Sequence, residues 1–371
     1  MTRRSSIREE DAVPYALDSL LATPGLGPMP TDPRDLRGDQ PVVPLDPMVA
    51  EAAARALESG QTHYVDVPGI APLREATARL ISEQGVICRP ANVMITAGVQ
   101  EARFLVLQIL GDAAGPLVLP DVVHPGVRQA IGVRAIATLT VATDPARGML
   151  VSPESLGAAL AAGGRLIYLE APVRLTGATY SQGEWAAIAA LAAEHGAGII
   201  VDQGLAPWAD GPSAASALGS AGLARTTLIG ELLPGQGLQS WQIGYIAADE
   251  TWLPPLQSQK QIMAICTSTA AQYAALEAME GSVGVRETLH PQLLERATAA
   301  RAAAALQGLG PLPGGAGTVI AIHPPDGAAT QATLAAQGYS AADGAAFGAP
   351  GVLRLAVGPE TDLAAILEAL A

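Results

Sequence analysis

The sequence predicts an α/β protein with a mostly parallel central sheet in a large domain and a small α+β domain at the C-terminus. Between residues 93 and 247, short and continuously apolar segments alternate with segments of helical spacing. That pattern is typical of strands covered by helices on both faces. The alternation ends near residue 280, where the small domain is expected to begin. The 371-residue length and 49% hydrophobic content allow a sizeable core in one large and one smaller domain.

The elements follow from local signals along the chain. Gly60 is expected to end the first helix, and Pro72 marks the start of the second. Helices are predicted over 46–59, 71–84, 98–110, 125–132, 152–162, 181–195, about 254–280, 286–308 and 360–370. Strands are predicted at 93–96, 116–119, 134–141, 165–170, 197–201, 228–229, 243–247, 318–322 and 352–357, and a third strand is allowed in the small domain. The domains are predicted as an N-terminal arm (1–45), a large domain (46–280) and a small domain (281–371).

Charge and composition exclude several function classes. The chain has 35 acidic and 21 basic residues, for a net charge of −14. This balance disfavours nucleic-acid binding and attachment to anionic membranes. Cys88 and Cys266 are far apart and lack metal-type spacing, so we expect free thiols and no metal site. No apolar run reaches membrane-spanning length and no signal peptide is visible, so a cytoplasmic location is predicted.

Two local patterns indicate ligand binding. The segment 93–100 predicts a strand, a turn and a helix, and the backbone N–H groups at a helix N-terminus attract anions. Gly98, Val99 and Gln100 are therefore candidates for a phosphate-type site, if any anion binds. Asp202 is expected at the carboxyl end of a strand, which is where ligands bind in open α/β sheets.

A series of motifs in a fixed order resembles the class I/II aminotransferases, a fold type I family that uses pyridoxal phosphate. The resemblance covers about residues 35–371 and implies a fold type I aminotransferase-like architecture. The matching segments are Gly38–Pro41, Tyr64–Gly69 with Leu73–Glu75, Val93–Gln100, His124–Gly126, Glu170–Gly177, Val201–Leu205, Thr227–Ile246, Gly344–Gly348 and Val352–Leu355.

The resemblance implies roles for four of these residues. Tyr64 would reach the cofactor phosphate of a neighbouring subunit, and His124 takes the place of the aromatic residue that stacks on the cofactor ring. Asp202 would pair with the ring nitrogen. Arg354 would hold the substrate carboxylate in a bidentate grip.

The resemblance breaks down at the cofactor contacts. Pro234, or Leu233 in a register shifted by one, aligns with the lysine to which the family attaches its cofactor. The sole lysine of the chain is Lys260, which we expect to be solvated or at an interface. Four further contacts are replaced, by Arg174 for asparagine, Leu205 for tyrosine, Glu231 for serine and Gln242 for the phosphate-binding arginine.

Because these changes cluster at the cofactor, the sequence leads to the hypothesis of an enzyme that works without pyridoxal phosphate. Acid/base chemistry would then act on a small carboxylate-bearing metabolite, in a cyclisation, elimination, isomerisation or condensation of specialised biosynthesis. The catalytic candidates are His124, Glu231 and Asp202, and the substrate-binding candidates are Arg354, Arg174, Gln242 and Tyr64.

Other interpretations remain open at this point. Arg174 and Glu231 would fill vacated space if they formed an ion pair with each other. The chain is expected to form a homodimer, but it could also be a non-catalytic subunit paired with a competent homologue. Non-covalent binding of pyridoxal or pyridoxamine phosphate, or ordinary aminotransferase activity, is a further alternative.

Overall fold

The computed structural model describes residues 34–38, 47–210, 214, 218, 223–232, 241–281 and 285–370. The helices are α1 Pro47–Glu58, α2 Ala71–Glu83, α3 Gly98–Ala114, α4 Pro125–Arg134, α5 Pro153–Ala161, α6 Gln182–Glu194, α7 Leu253–Met263, α8 Thr269–Gly281, α9 Val285–Leu306, α10 Gly327–Ala336 and α11 Leu363–Leu370. The strands are β1 Asp35–Leu36, β2 Val93–Ala97, β3 Leu117–Pro120, β4 Thr138–Val141, β5 Leu166–Glu170, β6 Gly198–Asp202, β7 Thr226–Glu231, β8 Ile243–Ala247, β9 Val319–Ile322, β10 Ser340–Asp343 and β11 Leu353–Ala356.

A seven-stranded sheet forms the centre of the large domain, in the order β2-β8-β7-β6-β5-β3-β4. The pairs from β7 to β4 are parallel. Strand β8 is antiparallel to both of its neighbours, so β2 runs in the same direction as β7. The sheet is therefore mostly parallel, which confirms the predicted fold class.

Both faces of this sheet are buried, which explains why its strands are continuously apolar. Along β6, Ile199 and Val201 belong to one hydrophobic cluster, whereas Ile200 belongs to another. Successive side chains of a strand point to opposite faces. The helices therefore cover the sheet on both sides, and the strand ends are left to carry polar groups.

A second sheet, in the order β1-β10-β11-β9, belongs to the small domain. Strand β1 pairs parallel with β10, with Asp35 opposite Ser340. The end of the predicted N-terminal arm thus joins the small sheet, while residues 1–33 and 39–46 lie outside the described ranges. The two boundaries between the arm, the large domain and the small domain stay predictions.

Two predicted elements differ from the structure, and one further helix was not predicted. The long helix over 254–280 is wrong, because α7 ends at Met263 and Ile265 adopts a left-handed φ of 64° before α8 begins. The strand at 134–141 is shorter, since α4 continues to Arg134 and Ala135 is left-handed. Helix α10 was not predicted; the Asp326 carboxylate caps it by accepting from the Ala329 N–H at 2.9 Å.

The described residues contain no cluster of three or more His, Cys, Asp or Glu side chains that would hold a metal ion. Cys88 and Cys266 are free thiols and half-buried. In the same parts of the chain, no helix has the length and apolar character needed to cross a lipid bilayer.

Candidate functional site

One edge of the large sheet collects most of the candidate residues. Glu170, Asp202 and Glu231 are the last residues of β5, β6 and β7. Since β2 and β3 run in the same direction, Gly98 and His124 follow strands that end at this edge too. The carboxyl ends of neighbouring parallel strands therefore bring acidic, imidazole and backbone N–H groups together, at the usual place of a ligand site.

Asp202 is the centre of a buried polar cluster. Its Oδ2 atom accepts from Arg103 Nε at 2.7 Å and from the Tyr168 hydroxyl at 2.8 Å. Its Oδ1 atom accepts from the Gly204 N–H at 3.0 Å. Arg174 Nη2 lies 3.8 Å from Oδ1. We call Asp202, Arg103, Tyr168 and Arg174 the Asp202 cluster.

The charges of the Asp202 cluster hold its carboxylate ionised. Burial opposes ionisation, but the positive charges of Arg103 and Arg174 and the hydrogen bonds from Arg103 and Gly204 outweigh it. They lower the pKa of Asp202 to about 2. Burial and the negative charge of Asp202 raise the pKa of Tyr168 well above its ordinary value. Tyr168 is therefore a permanent hydrogen-bond donor to an anion.

His124 is buried at the N-terminus of α4, with its tautomer fixed by its neighbours. Its Nδ1 atom lies 3.0 Å from Arg103 Nη1 and accepts from the Gly126 N–H at 3.0 Å. Arginine and a backbone amide can only donate, so Nδ1 is unprotonated and the ring proton of the neutral form is on Nε2. The ring packs edge-on against Phe347, with 5.8 Å between centroids.

Glu170 is a buried carboxyl group that the sequence did not single out. Its oxygens accept from the backbone N–H groups of His124 at 2.7 Å and Arg174 at 2.9 Å. Burial and then the charge of Asp202 raise its pKa to about 7, against the lowering effects of Arg103 and the two amides. Glu170 can therefore hold or release a proton near neutral pH.

Arg174 and Arg354 are adjacent and fully buried. Arg354 Nε donates to the Arg174 carbonyl oxygen at 2.8 Å, and Arg354 Nη1 donates to the Gly38 carbonyl oxygen at 2.7 Å. These two bonds fix the guanidinium of Arg354, a residue of β11, between the backbone at Arg174 and the backbone at Gly38. The predicted substrate-binding arginines are thus brought together. No ion pair joins the side chains of Arg174 and Glu231, both of which are described; the Arg174 guanidinium lies instead 3.8 Å from the Asp202 carboxylate.

The predicted phosphate-type turn forms the N-terminus of α3, where no side-chain cap is present. Gly98 adopts a left-handed φ of 70°. The N–H groups of the first helical turn have no partners within a helix, so those of Gly98, Val99 and Gln100 suit an anion. The Gln100 side chain itself turns away to bond Arg103 and the Gly126 carbonyl oxygen.

A second ion pair lies beside this turn. Glu101 Oε2 accepts from the Ala97 N–H at 2.6 Å and from Lys260 Nζ at 2.6 Å. Lys260 Nζ also lies 3.1 Å from the Thr267 hydroxyl. The expectation that Lys260 is solvated is wrong, because its side chain is fully buried. Its charge is neutralised by Glu101, and it lies next to the turn.

The remaining candidates are placed less centrally. Gln242 is exposed, has a left-handed φ of 48°, and its Cβ lies 3.2 Å from where a Cβ on Gly98 would be. Tyr64 is 78% exposed, and its predicted reach into a neighbouring subunit stays a prediction. Leu205 is buried in the core of the small domain. Pro234 and Leu233 lie outside the described residues.

The residues present fit pyridoxal phosphate at two points. Asp202 Oδ1 accepts one hydrogen bond at normal distance, so it can accept another from a protonated ring nitrogen. The uncapped N-terminus of α3 and the left-handed Gly98 suit the phosphate. At the position that the resemblance assigns to the family's asparagine, Arg174 holds its guanidinium 3.8 Å from the Asp202 carboxylate.

Sequence reasoning missed Arg103, Tyr168 and Glu170. Each departs from its apolar surroundings: Arg103 lies in a largely apolar helix, and Tyr168 and Glu170 lie in an otherwise aliphatic strand. A polar group in a continuously apolar segment must find a partner when buried. That signal was available in the sequence, but the identity of the partner was not.

Comparison with known proteins identifies the family. A model for "Aminotransferase class I and II" matches residues 35–370. A probable aspartate/prephenate aminotransferase of Aquifex aeolicus is 27% identical over 236 residues, which cover 62% of this chain and 60% of that protein. The arginine–pyruvate transaminase of Pseudomonas aeruginosa is 26% identical over 326 residues, 83% of this chain and 81% of that protein. A mutant aspartate aminotransferase of Thermus thermophilus superimposes with a TM-score of 0.83 at 22% identity, covering 92% of this chain and 96% of that one.

Two predictions are wrong on this comparison, namely chemistry independent of pyridoxal phosphate and the absence of that cofactor. The relatives are named as aminotransferases, and the family uses pyridoxal phosphate, as the resemblance implied. The error arose from giving replaced side chains more weight than the retained aspartate and turn. The chain spans about 60% of the length of the Aquifex relative. Since the family model covers almost all of the sequence, the chain belongs to the class I and II aminotransferase family.

Proposed function

We propose that the protein is a pyridoxal-phosphate-dependent aminotransferase that moves an amino group between an amino acid and a 2-oxo acid. The observation that carries this proposal is the ionised, fully buried Asp202 at the same sheet edge as the uncapped N-terminus of α3. The membership of the family and the names of its relatives support it.

Two groups of residues would hold the cofactor. Asp202 would accept a hydrogen bond from the ring nitrogen and keep it protonated, because its own pKa is about 2. The N–H groups of Gly98, Val99 and Gln100 would bind the phosphate, with Gln242 beside them. When bound, pyridoxal phosphate supplies a carbonyl group that exchanges amino groups and a ring that takes up electrons.

The substrate would be oriented by Arg354 of the small domain together with His124 and Glu170 of the large domain. Arg354 has its Nε and Nη1 atoms fixed by backbone carbonyl oxygens, so its guanidinium is preorganised for a substrate carboxylate. The neutral His124 ring offers its Nε2 proton as a hydrogen-bond donor. Glu170, with a pKa of about 7, supplies a carboxyl group that exchanges a proton near neutral pH.

Absorbance spectroscopy tests the cofactor directly. Titration with pyridoxal phosphate or pyridoxamine phosphate is expected to give a saturable band, and transamination is expected with a panel of amino acids and 2-oxo acids. Asp202→Asn is expected to weaken cofactor binding by at least ~10-fold, because a charge-assisted hydrogen bond is lost. Asp249→Asn removes a carboxylate that bonds Thr251, away from this edge, and serves as the matched control. Failure to see a band, or equal binding by the two variants, would contradict the proposal.

We also propose that two copies of the chain form a homodimer. Tyr64 and Ile262 are large apolar side chains that are 78% and 82% exposed. The Thr269 hydroxyl donates to the His63 carbonyl oxygen at 3.0 Å, so the loop carrying Tyr64 is next to the start of α8, the helix that follows α7 and its exposed Ile262. An exposed apolar surface of this kind favours association. Light scattering after size-exclusion chromatography is expected to give twice the chain mass for wild type and the mass of one chain for Ile262→Glu. A monomeric wild-type protein would contradict the proposed homodimer.

A further inference from the structure

The sole lysine of the chain is buried in an ion pair at the N-terminal turn of α3. Lys260 Nζ lies 2.6 Å from Glu101 Oε2 and 3.1 Å from the Thr267 hydroxyl oxygen. The Lys260 side chain is 0% exposed and the Glu101 side chain is 8% exposed. Replacing a buried ion pair by apolar side chains of similar volume often leaves a protein equally stable, because both charges lose their hydration on burial. The placement of this pair therefore calls for an explanation other than stability.

Glu101 places a negative charge where an anion would bind. Its Oε2 atom accepts from the Ala97 N–H at 2.6 Å, and the N–H groups of Gly98, Val99 and Gln100 follow immediately. The partial positive charge of a helix N-terminus attracts a carboxylate as it attracts a phosphate. A carboxylate already held at this turn repels a second anion that approaches it.

Lys260 removes this conflict. Its ammonium group neutralises the Glu101 carboxylate, so the turn keeps the hydrogen bond to the Ala97 N–H without presenting a net negative charge to a ligand. Gln242 also flanks the turn and is uncharged; its Cβ lies 3.2 Å from where a Cβ on Gly98 would be. The charge next to Ala97 is thus set by Glu101 and Lys260 together.

We propose that Lys260 is a positioning residue that acts through Glu101 to set the affinity of the α3 turn for a phosphate monoester dianion. Glu101 holds the turn, and Lys260 cancels the charge of Glu101. The pair is neutral in wild type and is removed in the double variant Lys260→Met/Glu101→Gln. The turn carries a negative neighbour in Lys260→Met and a positive neighbour in Glu101→Gln. The identity of the ligand as a pyridoxal derivative rests on the proposed function, whereas the effect of the pair on a phosphate group does not.

Isothermal titration calorimetry of the full chain near pH 8, where a phosphate monoester is a dianion, tests the proposal. The probes are pyridoxamine phosphate and pyridoxamine, which differ in the phosphate and lack the aldehyde that would form an imine with Lys260. Lys260→Met is expected to bind pyridoxamine phosphate about 10-fold more weakly than wild type, and Glu101→Gln about 3-fold more tightly. The double variant is expected to bind within about 2-fold of wild type.

The opposite signs separate an effect of charge from a loss of structure, which would weaken binding in both single variants. Pyridoxamine is expected to bind equally to all of them, and circular dichroism reports that each is folded. Arg89→Met is the matched control, because Arg89 Nη2 pairs with Glu250 Oε1 at 2.6 Å. Arg89 precedes β2, whereas the α3 turn follows it. This variant changes the net charge as Lys260→Met does and is expected to bind pyridoxamine phosphate as wild type does.

Weaker binding by both single variants, or unchanged binding by both, would overturn the proposal. If Lys260→Met does not fold, Glu101→Gln decides, and binding no tighter than wild type overturns it. Inorganic phosphate, titrated into the same variants, separates the inference from the proposed function. If inorganic phosphate follows the expected order and pyridoxamine phosphate does not bind, the inference stands and the proposed function falls. Equal binding of pyridoxamine phosphate by all variants gives the reverse, and binding of neither probe overturns both.

Discussion

The Asp202 cluster and the N-terminal turn of α3 lie at one sheet edge, but the cluster consists of side-chain groups and the turn of backbone N–H groups. At the turn, the available groups are backbone amides held by the left-handed Gly98, with Ala97 and Val99 on either side. In the Asp202 cluster, charged and polar side chains from a helix, a strand and a loop surround one buried carboxylate. The turn offers backbone N–H groups to a ligand, whereas the central carboxylate of the cluster already accepts hydrogen bonds from Arg103, Tyr168 and Gly204.

This difference predicts how the Asp202 cluster and the turn of α3 each tolerate sequence change. A site made of backbone groups survives as long as the local conformation survives, so the residues at 99 and 100 can vary. A site made of side chains can be rebuilt by a few substitutions, and here Arg103, Tyr168 and Arg174 surround a retained aspartate. We therefore expect mutations in the cluster to affect stability most, and mutations in the turn to affect anion binding most.

The largest effect is expected from Asp202→Ala. The substitution removes the carboxylate that pairs with Arg103 and leaves a buried guanidinium uncompensated. The free energy of unfolding is expected to fall by about 3–5 kcal/mol, as measured by urea denaturation at neutral pH.

A double-mutant cycle sharpens that result. Arg103→Met removes the positive partner with a side chain of similar length. The double variant Asp202→Ala/Arg103→Met is expected to lose less stability than the sum of the single variants, because the Arg103 charge is removed together with its partner. Additive losses would show that the cluster is not energetically coupled and that the contrast with the turn is wrong.

Glu170 is expected to make the free energy of unfolding depend on pH. Burial and the nearby charge of Asp202 raise its pKa from 4.5 to about 7. The folded protein binds this proton more tightly than the unfolded chain does. The resulting stability is present below about pH 4.5 and is lost as the pH rises through 7, by on the order of 3 kcal/mol. Urea denaturation across this range is expected to show the fall in wild type and a smaller fall in Glu170→Gln.

Glu184 provides the control for this titration. Burial raises the pKa of Glu184, but hydrogen bonds from Ser181 and the charge of Arg147 outweigh it, so the pKa is lowered. Protonation of Glu184 therefore changes the free energy of unfolding only below the pH range in which Glu170 titrates. Glu184→Gln is therefore expected to keep the wild-type fall between about pH 4.5 and 7. If Glu170→Gln keeps that fall as well, Glu170 is not the titrating group.

The contrast between the two regions also explains what the sequence could predict. The sheet and its direction were predictable, because continuously apolar strands between helices have few other solutions, and strand ends then place Asp202 and Glu231 at one edge. The turn was predictable, because its chemistry belongs to the backbone. The partners of Asp202 were not, since Arg103 is 99 residues away and its contact depends on packing. The break after α7 was hidden because an isoleucine, not a glycine, adopts the left-handed conformation.

The smallest effect on stability, and the sharpest test of the turn, is expected from Gly98→Ala. Gly98 and Gly60 both have left-handed φ angles, of 70° and 78°. A Cβ at Gly98 would lie 3.2 Å from the Gln242 Cβ, whereas a Cβ at Gly60 would meet nothing within 4 Å. Both alanine variants are expected to lose about 1–2 kcal/mol of unfolding free energy from backbone strain.

Anion binding is expected to separate the two variants. Gly98→Ala shifts the first N–H groups of α3 and is expected to weaken binding of pyridoxal phosphate by about 10-fold, because charge-assisted hydrogen bonds are lost. Gly60→Ala is expected to bind as wild type does, in the same absorbance titration. Equal binding by both variants would mean that the phosphate does not bind at α3. Weaker binding by Gly98→Ala alone would show that the backbone N–H groups of α3 still bind the phosphate, although the side chains around Asp202 have been replaced.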